Sequence, residues 1–205
     1  MARDGKLRGE VSLYCSVTAS YSFLFDILAR LRRAHPRIEI KLRTGDPEDA
    51  IARVQRGHAD IAIAAKPRRL PSGLAFRRIA VSPLLFIAAL DHRAPADTAD
   101  WARCPMILNE RGLARERVDR WFRDRGVPAV IYAQVAGNEA IVSMVSLGLG
   151  VGVVPEIVLE NSPLAQKVRV LDVEPALAPY EVGLVTLGKQ RSNPLVDAVW
   201  NTVDP

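Results

Sequence analysis

Apolar residues in the first third of the chain follow alternating helical and strand-like patterns. Between residues 23 and 31 they recur at helical spacing, and His35-Pro36 ends the pattern because the residue before a proline avoids the helical conformation. Alternating apolar residues at 38–42 predict a strand. Residues 46–57 predict a second helix with an acidic cap at its start and a glycine at its end. A short buried strand is expected at 60–65.

The second half of the chain repeats this order. Apolar positions at 118–122 predict a helix, and a strand follows at 130–135. Asn138 can cap the next helix, which ends at Gly148, and residues 151–154 predict another strand. Strands that alternate with helices are typical of mostly parallel sheets covered by helices on both faces. The fold class is therefore α/β.

The segments between and after these repeats complete the predicted order of elements. Residues 66–78 are rich in proline, glycine and serine and predict a loop, and the apolar stretch 79–90 would open the second repeat. Strands are expected at 168–173 and 180–187. A final helix is expected after Asn193-Pro194.

We therefore predict two Rossmann-like lobes joined by two crossover segments. The first lobe takes residues 8–78 and 176–205, and the second takes residues 79–175. The two crossings would act as a hinge, and a binding cleft is expected between the lobes.

The composition of the 205 residues is that of an ordinary globular chain, with 49% hydrophobic and 25% charged residues. An apolar run of 18 residues is absent, and residues 1–10 are charged, so we expect neither a membrane helix nor a secretory signal. Cys15 and Cys104 match neither a disulfide framework nor a metal-ligand spacing. We expect both to be small buried hydrophobic residues in a cytoplasmic protein without cofactor or metal.

The net charge of +5 is concentrated near the start of the chain. Residues 1–43 hold nine basic and four acidic side chains, whereas residues 44–205 hold nineteen of each. The arginines at 30–37 have no aromatic residues between them, which favours a solvated helix face over a nucleic-acid-binding domain. A surface near DNA or near an acidic partner stays an alternative interpretation.

Candidate binding residues lie where α/β sheets bind ligands, beyond the carboxyl ends of strands and at the starts of helices. Hydroxyl groups, backbone N–H groups and a lysine at such places suit a small anion. Each residue also has a structural interpretation, because serine, threonine and aspartate there are often only helix caps and a loop lysine is often only solvated. The four candidate places are Ser16, Thr18, Ala19 and Ser20 after the strand at 11–15; Thr44 and Asp46; Ala65, Lys66 and Pro67; and Asn109 and Gly112 with Gly137, Asn138 and Glu139.

Catalytic motifs are absent from the sequence. All three histidines lie in predicted turns, and the sequence has no Gly-x-Ser-x-Gly, His-Glu-x-x-His or phosphate-binding lysine motif. The glycines at 148, 150 and 152 do not have the dinucleotide-binding spacing. We therefore expect a binding protein rather than an enzyme.

Several stretches resemble the effector-binding domain of LysR-type transcriptional regulators. Residues 57–63, Gly-His-Ala-Asp-Ile-Ala-Ile, match the family pattern G-x-x-D-hydrophobic-A-hydrophobic. The other matching stretches, in family order, are 7–11, 16–18, 34–36 and 138–155. The resemblance implies the two-lobed fold of type 2 periplasmic binding proteins and an organic-acid co-inducer.

Within this family, the chain is most similar to activators of branched-chain amino-acid biosynthesis genes. The residues that carry this resemblance are 15–19, 38–42, 44–46, 139–140, 142–145, 155–156 and 158–163. It implies 2-acetolactate and 2-aceto-2-hydroxybutyrate as co-inducers, both of which carry a carboxylate, a hydroxyl and a ketone.

The family also implies partners for the intact regulator. The winged helix-turn-helix of the family is not in this chain, so we expect DNA and RNA polymerase to be contacted only through the full-length protein. We expect no membrane partner. The chain would form a homodimer or tetramer and would lack sequence-specific DNA affinity alone. Two alternatives stay open: a solute-binding protein for a small organic anion, and an enzyme with a cleft.

Overall fold

A computed structural model describes residues 7–204. The described chain divides into two compact units. Unit 1 contains the residues up to Val81 and those from Glu181 onward, and unit 2 contains Ser82–Tyr180. The chain therefore passes from one unit to the other twice. Within residues 7–204, no helix is long and apolar enough to cross a membrane.

The strands and helices alternate along most of the chain, as an α/β fold requires. Two long strands, β4 and β9, each contribute residues to both units. The strands are β1 (Gly9–Cys15), β2 (Ile38–Thr44), β3 (Ile61–Ala65), β4 (Leu74–Ala89), β5 (Pro105–Asn109), β6 (Val130–Val135), β7 (Val151–Pro155), β8 (Val168–Val170) and β9 (Leu177–Leu187). The helices are α1 (Val17–Ala19), α2 (Phe25–Ala34), α3 (Ala50–Gln55), α4 (Thr98–Trp101), α5 (Leu113–Asp124), α6 (Asn138–Ser146), α7 (Glu156–Glu160) and α8 (Pro194–Trp200).

The sheet of unit 1 is organised around β1. This strand pairs in parallel with β2 on one side and with β3 on the other, and β3 pairs antiparallel with β9. The main hydrophobic core of unit 1 lies between strands β1 and β3 and helices α2 and α8. The largest fully buried members of that core are Val11, Leu13, Leu31, Ile61, Ile63 and Leu184.

Unit 2 is organised around β5, which pairs in parallel with β6 and β7. Strand β4 pairs antiparallel with β7 and with the short β8. Aromatic side chains fill part of the interior: the rings of Phe86, Trp101 and Trp121 lie 4.9–5.3 Å apart in tilted or edge-to-face contacts. A separate aliphatic core packs α6 against β5 and β7.

The helix predicted from residue 23 begins earlier, at Val17. Hydrophobic periodicity did not predict this start because the first turn has no apolar stripe. The Ser16 side chain caps the turn by accepting a hydrogen bond from the Ala19 N–H at 3.1 Å. A π-helical turn at Ser20–Leu24 connects α1 to α2. The helix ends at Ala34, and His35 is its C-terminal cap before Pro36, as predicted.

Three further sequence predictions are wrong in detail. The predicted loop 66–78 ends at Gly73, because sheet pairing starts β4 at Leu74. Strand β8 stops at Val170 rather than at 173. The cap of α6 is Gly137, and Asn138 is the first helical residue; the backbone has φ 85° at the cap of this helix, which favours glycine.

Both cysteines are buried and free, as expected for small hydrophobic residues. Burial raises the pKa of the Cys15 and Cys104 thiols to about 11. Neither thiol is therefore a reactive thiolate near neutral pH.

The aspartate of the G-x-x-D pattern has a structural role. The Asp60 carboxylate accepts hydrogen bonds from the Ser12 N–H at 2.8 Å and from the Ser12 hydroxyl at 2.7 Å. The Asp60 N–H in turn donates to Ser12 Oγ at 2.9 Å. These bonds connect the start of β3 to the middle of β1.

We predict that Asp60→Ala lowers the free energy of unfolding by about 2 kcal/mol, because two half-buried donors of Ser12 lose a charged acceptor. Urea unfolding followed by circular dichroism measures the change. The control Asp91→Ala removes an exposed turn carboxylate and should change stability by less than about 0.5 kcal/mol. Equal losses in the two variants would contradict this role of Asp60.

Candidate functional site

The polar residues predicted in unit 1 lie at one edge of its sheet. Cys15 is paired with Thr44, and Tyr14 is paired with Ala62, so the three parallel strands end on the same side. The segments that leave these strands begin with Ser16, with Gly45 and with Lys66. The structure therefore brings together the first three predicted places.

The hydroxyl groups after β1 have different roles. Ser16 is the helix cap, and the Ser20 hydroxyl donates to the Val17 carbonyl at 2.6 Å. Thr18 lies in the first helical turn with 7% of its surface exposed, and its carbonyl accepts from the Ser22 hydroxyl at 2.9 Å. The interpretation of Thr18 as the cap is therefore wrong, because Ser16 holds that position.

Asp46 acts as the cap that its structural interpretation predicted. Its carboxylate accepts from the Glu48 N–H at 3.0 Å at the start of a 3-10 turn, Pro47–Asp49, that leads into α3. Its backbone carbonyl accepts from the Tyr14 hydroxyl at 2.9 Å. The turn after β2 is thus held by both its side chain and its backbone.

Lys66 is more constrained than a freely solvated lysine. Its ammonium lies 3.3 Å from the Glu181 carboxylate and 5.4 Å from the centre of the Phe76 ring. The backbone N–H of Lys66 donates to the backbone carbonyl of Glu181 at 2.8 Å, which extends the pairing of β3 with β9 beyond Ala65. Both side chains remain partly exposed, so the ion pair of Lys66 with Glu181 lies at this edge of the sheet.

Unit 2 has a comparable edge at the ends of β5 and β6. The Asn109 amide donates to the Asn138 side-chain oxygen at 3.3 Å, and the Glu110 N–H donates to the Val135 carbonyl at 3.2 Å. Gly112 and Gly137, both with positive φ, precede α5 and α6, and Glu139 is exposed in the first turn of α6. The structure therefore connects Asn109 and Asn138, which the sequence had grouped.

Arg115 is a residue of this edge that sequence reasoning missed. Its guanidinium donates to the Asn109 carbonyl at 3.0 Å, to the Gln134 side chain at 2.6 Å and to Asp119 at 2.9 Å. Its side chain is only 16% exposed. The spacing to Asp119, four residues along a helix, was the one available signal and predicts only an ordinary helix ion pair.

Metal chemistry has no candidate among residues 7–204, where no three His, Cys, Asp or Glu side chains group as metal ligands. The chemistry of both edges consists of hydrogen-bond donors and acceptors together with ion pairs. Such an arrangement suits reversible recognition of a small polar molecule.

The fold and these two edges define a class of protein. The family model described as the LysR substrate binding domain matches residues 4–204, so the chain belongs to that family. It is a co-inducer-binding domain of a LysR-type transcriptional regulator, which confirms the resemblance seen in its motifs.

Its relatives specify a type of regulator. The chain is 43% identical over 202 residues to the HTH-type transcriptional activator IlvY of Salmonella typhimurium, covering 95% of this chain and 68% of that protein. It is 42% identical to the HTH-type transcriptional regulator IlvY of Escherichia coli over the same shares. The chain is thus similar to an activator.

Solved structures share the fold at low sequence identity. The effector-binding domain of QuiR, in complex with shikimate, has a TM-score of 0.80 at 20% identity and covers 96% of this chain and 95% of its own. The cofactor-binding domain of the Cbl regulator has a TM-score of 0.77 at 21% identity and covers 100% and 93%. These likenesses confirm the predicted α/β architecture of LysR effector-binding domains.

We predict that Arg115→Met lowers the free energy of unfolding by about 2 kcal/mol, because a half-buried carbonyl and an amide oxygen lose a charged donor. Chemical denaturation measures this loss. Arg103→Met is the matched control: its side chain is 76% exposed and makes only a surface contact with Asp100, worth less than about 0.5 kcal/mol. If Arg115→Met lowers the free energy of unfolding by no more than the control does, Arg115 does not stabilise this edge.

Proposed function

We propose that this domain binds a small acetohydroxy acid, 2-acetolactate or 2-aceto-2-hydroxybutyrate, and so controls a LysR-type activator of branched-chain amino-acid biosynthesis genes. The similarity to the IlvY regulators supports the class of gene. Relatives with this role bind DNA, so we place the protein in the cytoplasm and assign it binding rather than catalysis. Regulation requires that the ligand bind one arrangement of the regulator more tightly than another.

The observation that carries the proposal is the position of Thr18. It is almost completely buried, it follows the cap residue by two positions, and it lies in the first turn of the helix after the central strand β1. Helix starts carry partial positive charge and attract carboxylates. The Lys66 ammonium, after the neighbouring strand β3, lies at the same edge in an ion pair with Glu181 and adds a cationic hydrogen-bond donor there.

The other predicted residues remain candidates for ligand contact. In unit 1, Ser16 and Ser20 use their hydroxyls within the helix, so backbone groups there are better candidates than side chains. In unit 2, the paired amides of Asn109 and Asn138 can donate to and accept from a hydroxyl or ketone.

We also propose that the domain forms a homodimer or tetramer through exposed apolar surface. Tyr21 and Phe25 lie one helical turn apart with 68% and 77% of their surface exposed. In unit 2 the edge strand β6 exposes Val130, Ile131 and Tyr132. Contiguous exposed apolar surface commonly marks an interface between subunits.

We predict that Phe25→Glu converts a dimeric domain to a monomer, because a charge would replace apolar contact area in the interface. Sedimentation velocity at micromolar concentration measures the state. Leu90→Glu changes another exposed apolar residue, in the turn after β4, and should leave the dimer intact. A monomeric wild-type domain, or a Phe25→Glu dimer, would contradict the proposed interface.

We predict that Thr18→Val weakens binding of 2-acetolactate by about 1–3 kcal/mol, roughly five- to 150-fold, because a hydrogen bond to a charged ligand is lost while the side-chain shape is kept. Isothermal titration calorimetry measures the affinity. The control Thr98→Val makes the same exchange at the first residue of α4 and should bind like wild type. If Thr18→Val also binds like wild type, its hydroxyl is not a ligand contact.

A further inference from the structure

A buried tyrosine supports the turn after β2 from beneath. Tyr14 lies on β1 with 2% of its surface exposed, and its ring packs in a small core with Ala50 and Val54 of α3. Its hydroxyl donates to the backbone carbonyl of Asp46 at 2.9 Å. A side chain of the central strand therefore holds the backbone of a turn at the ligand edge.

The glycine of this turn is required by the same hydroxyl. A methyl group on Gly45 would overlap the Tyr14 hydroxyl oxygen and lie 3.3 Å from the ring carbon that bears it. The backbone of Gly45 does not have a positive φ, so an alanine there would meet no conformational obstacle. Glycine is required at position 45 because the Tyr14 hydroxyl leaves no room for a side chain, and not because of the backbone conformation.

Two further contacts restrain the same turn. The Gly45 N–H donates to the Cys15 carbonyl at 3.1 Å, which extends the pairing of β1 and β2. The Asp49 N–H donates to the Asp46 carbonyl at 3.1 Å, so that carbonyl accepts from both the helix start and Tyr14. The turn is therefore fixed to β1 on one side and to α3 on the other.

The hydroxyl stays a donor at physiological pH. Burial raises the pKa of Tyr14 above its usual value, and this effect outweighs the lowering by the Arg53 guanidinium, which lies 4.6 Å from the ring centre. A tyrosine with a raised pKa remains protonated well above neutral pH.

We propose that Tyr14 is a positioning residue for ligand binding: its hydroxyl, seated under Gly45, sets the height of the Thr44–Asp46 turn at the edge where the co-inducer binds. The proposal rests on the proposed function for the ligand. It assigns Tyr14 an effect on affinity that acts through the Asp46 carbonyl, to which its buried hydroxyl donates.

The test is a double-mutant cycle of Tyr14→Phe and Gly45→Ala, titrated with 2-acetolactate by calorimetry and melted without ligand. Tyr14→Phe should weaken binding about fivefold, since one neutral hydrogen bond is lost. Gly45→Ala should weaken binding at least about tenfold and lower the melting temperature, because the turn must move. The double variant should bind more tightly and melt higher than Gly45→Ala alone, because removing the hydroxyl makes room for the methyl group.

Matched controls separate positioning from general loss of stability. Tyr132→Phe removes an exposed hydroxyl in unit 2, and Gly188→Ala adds a methyl group that would meet only the Gly73 carbonyl at 3.4 Å. Both should bind like wild type. Hydrogen–deuterium exchange without ligand should show faster exchange of the Gly45 and Asp49 amides in Tyr14→Phe and no change there in the controls.

Different outcomes test the role of Tyr14 and the proposed ligand. Additive effects in the cycle, unchanged exchange of the turn, or wild-type affinity in Tyr14→Phe would overturn the role of Tyr14. If wild-type protein does not bind either acetohydroxy acid, the proposed ligand is wrong, and the melting cycle and the exchange rates still decide whether Tyr14 holds the turn.

Discussion

The parallel pairing of β1 with both β2 and β3 is the constraint on which the candidate site of unit 1 depends. Because all three strands run in one direction, their carboxyl ends lie at one edge, and the segments that follow them start there. The pairing of β1 with β2 runs from Gly9 with Ile38 to Cys15 with Thr44 without a shift. A slip by one residue would move the side chains of β1 to the opposite faces of the sheet and remove Leu13 and Tyr14 from their separate cores, so these two cores hold the site in register.

Much of this arrangement could be predicted, because the relevant signals are local. The proline after His35, the capping aspartate at 46 and the alternation at 38–42 each depend on neighbouring residues alone. The start of the first helix could not be found by periodicity, since its first turns contain serines and threonine without an apolar stripe. The start of β4 was missed because a strand at Leu74 is stabilised by sheet pairing that local propensity does not reveal.

The roles of the site residues were harder to predict because their partners are distant in sequence. Tyr14 bonds the turn 32 residues later, Lys66 reaches a carboxylate 115 residues away, and Asn109 meets an amide 29 residues on. Residue type and position relative to strand ends identified Lys66 and Asn109 as candidates. Nothing local distinguished Tyr14 from any other aromatic residue of a buried strand, so its contact with Asp46 appeared only with the fold.

Polar residues at the carboxyl ends of the strands therefore differ in whether their side chains cap a helix or start a turn. Ser16 and Asp46 use their side chains to cap a helix and to start a turn, so replacing them changes stability whatever they contribute to binding. Thr18 does not provide the helix cap, although it lies within the same turn. An effect of its hydroxyl on ligand affinity can therefore be measured without removing the cap. Local structure thus decides at which of these residues a substitution also removes a helix cap.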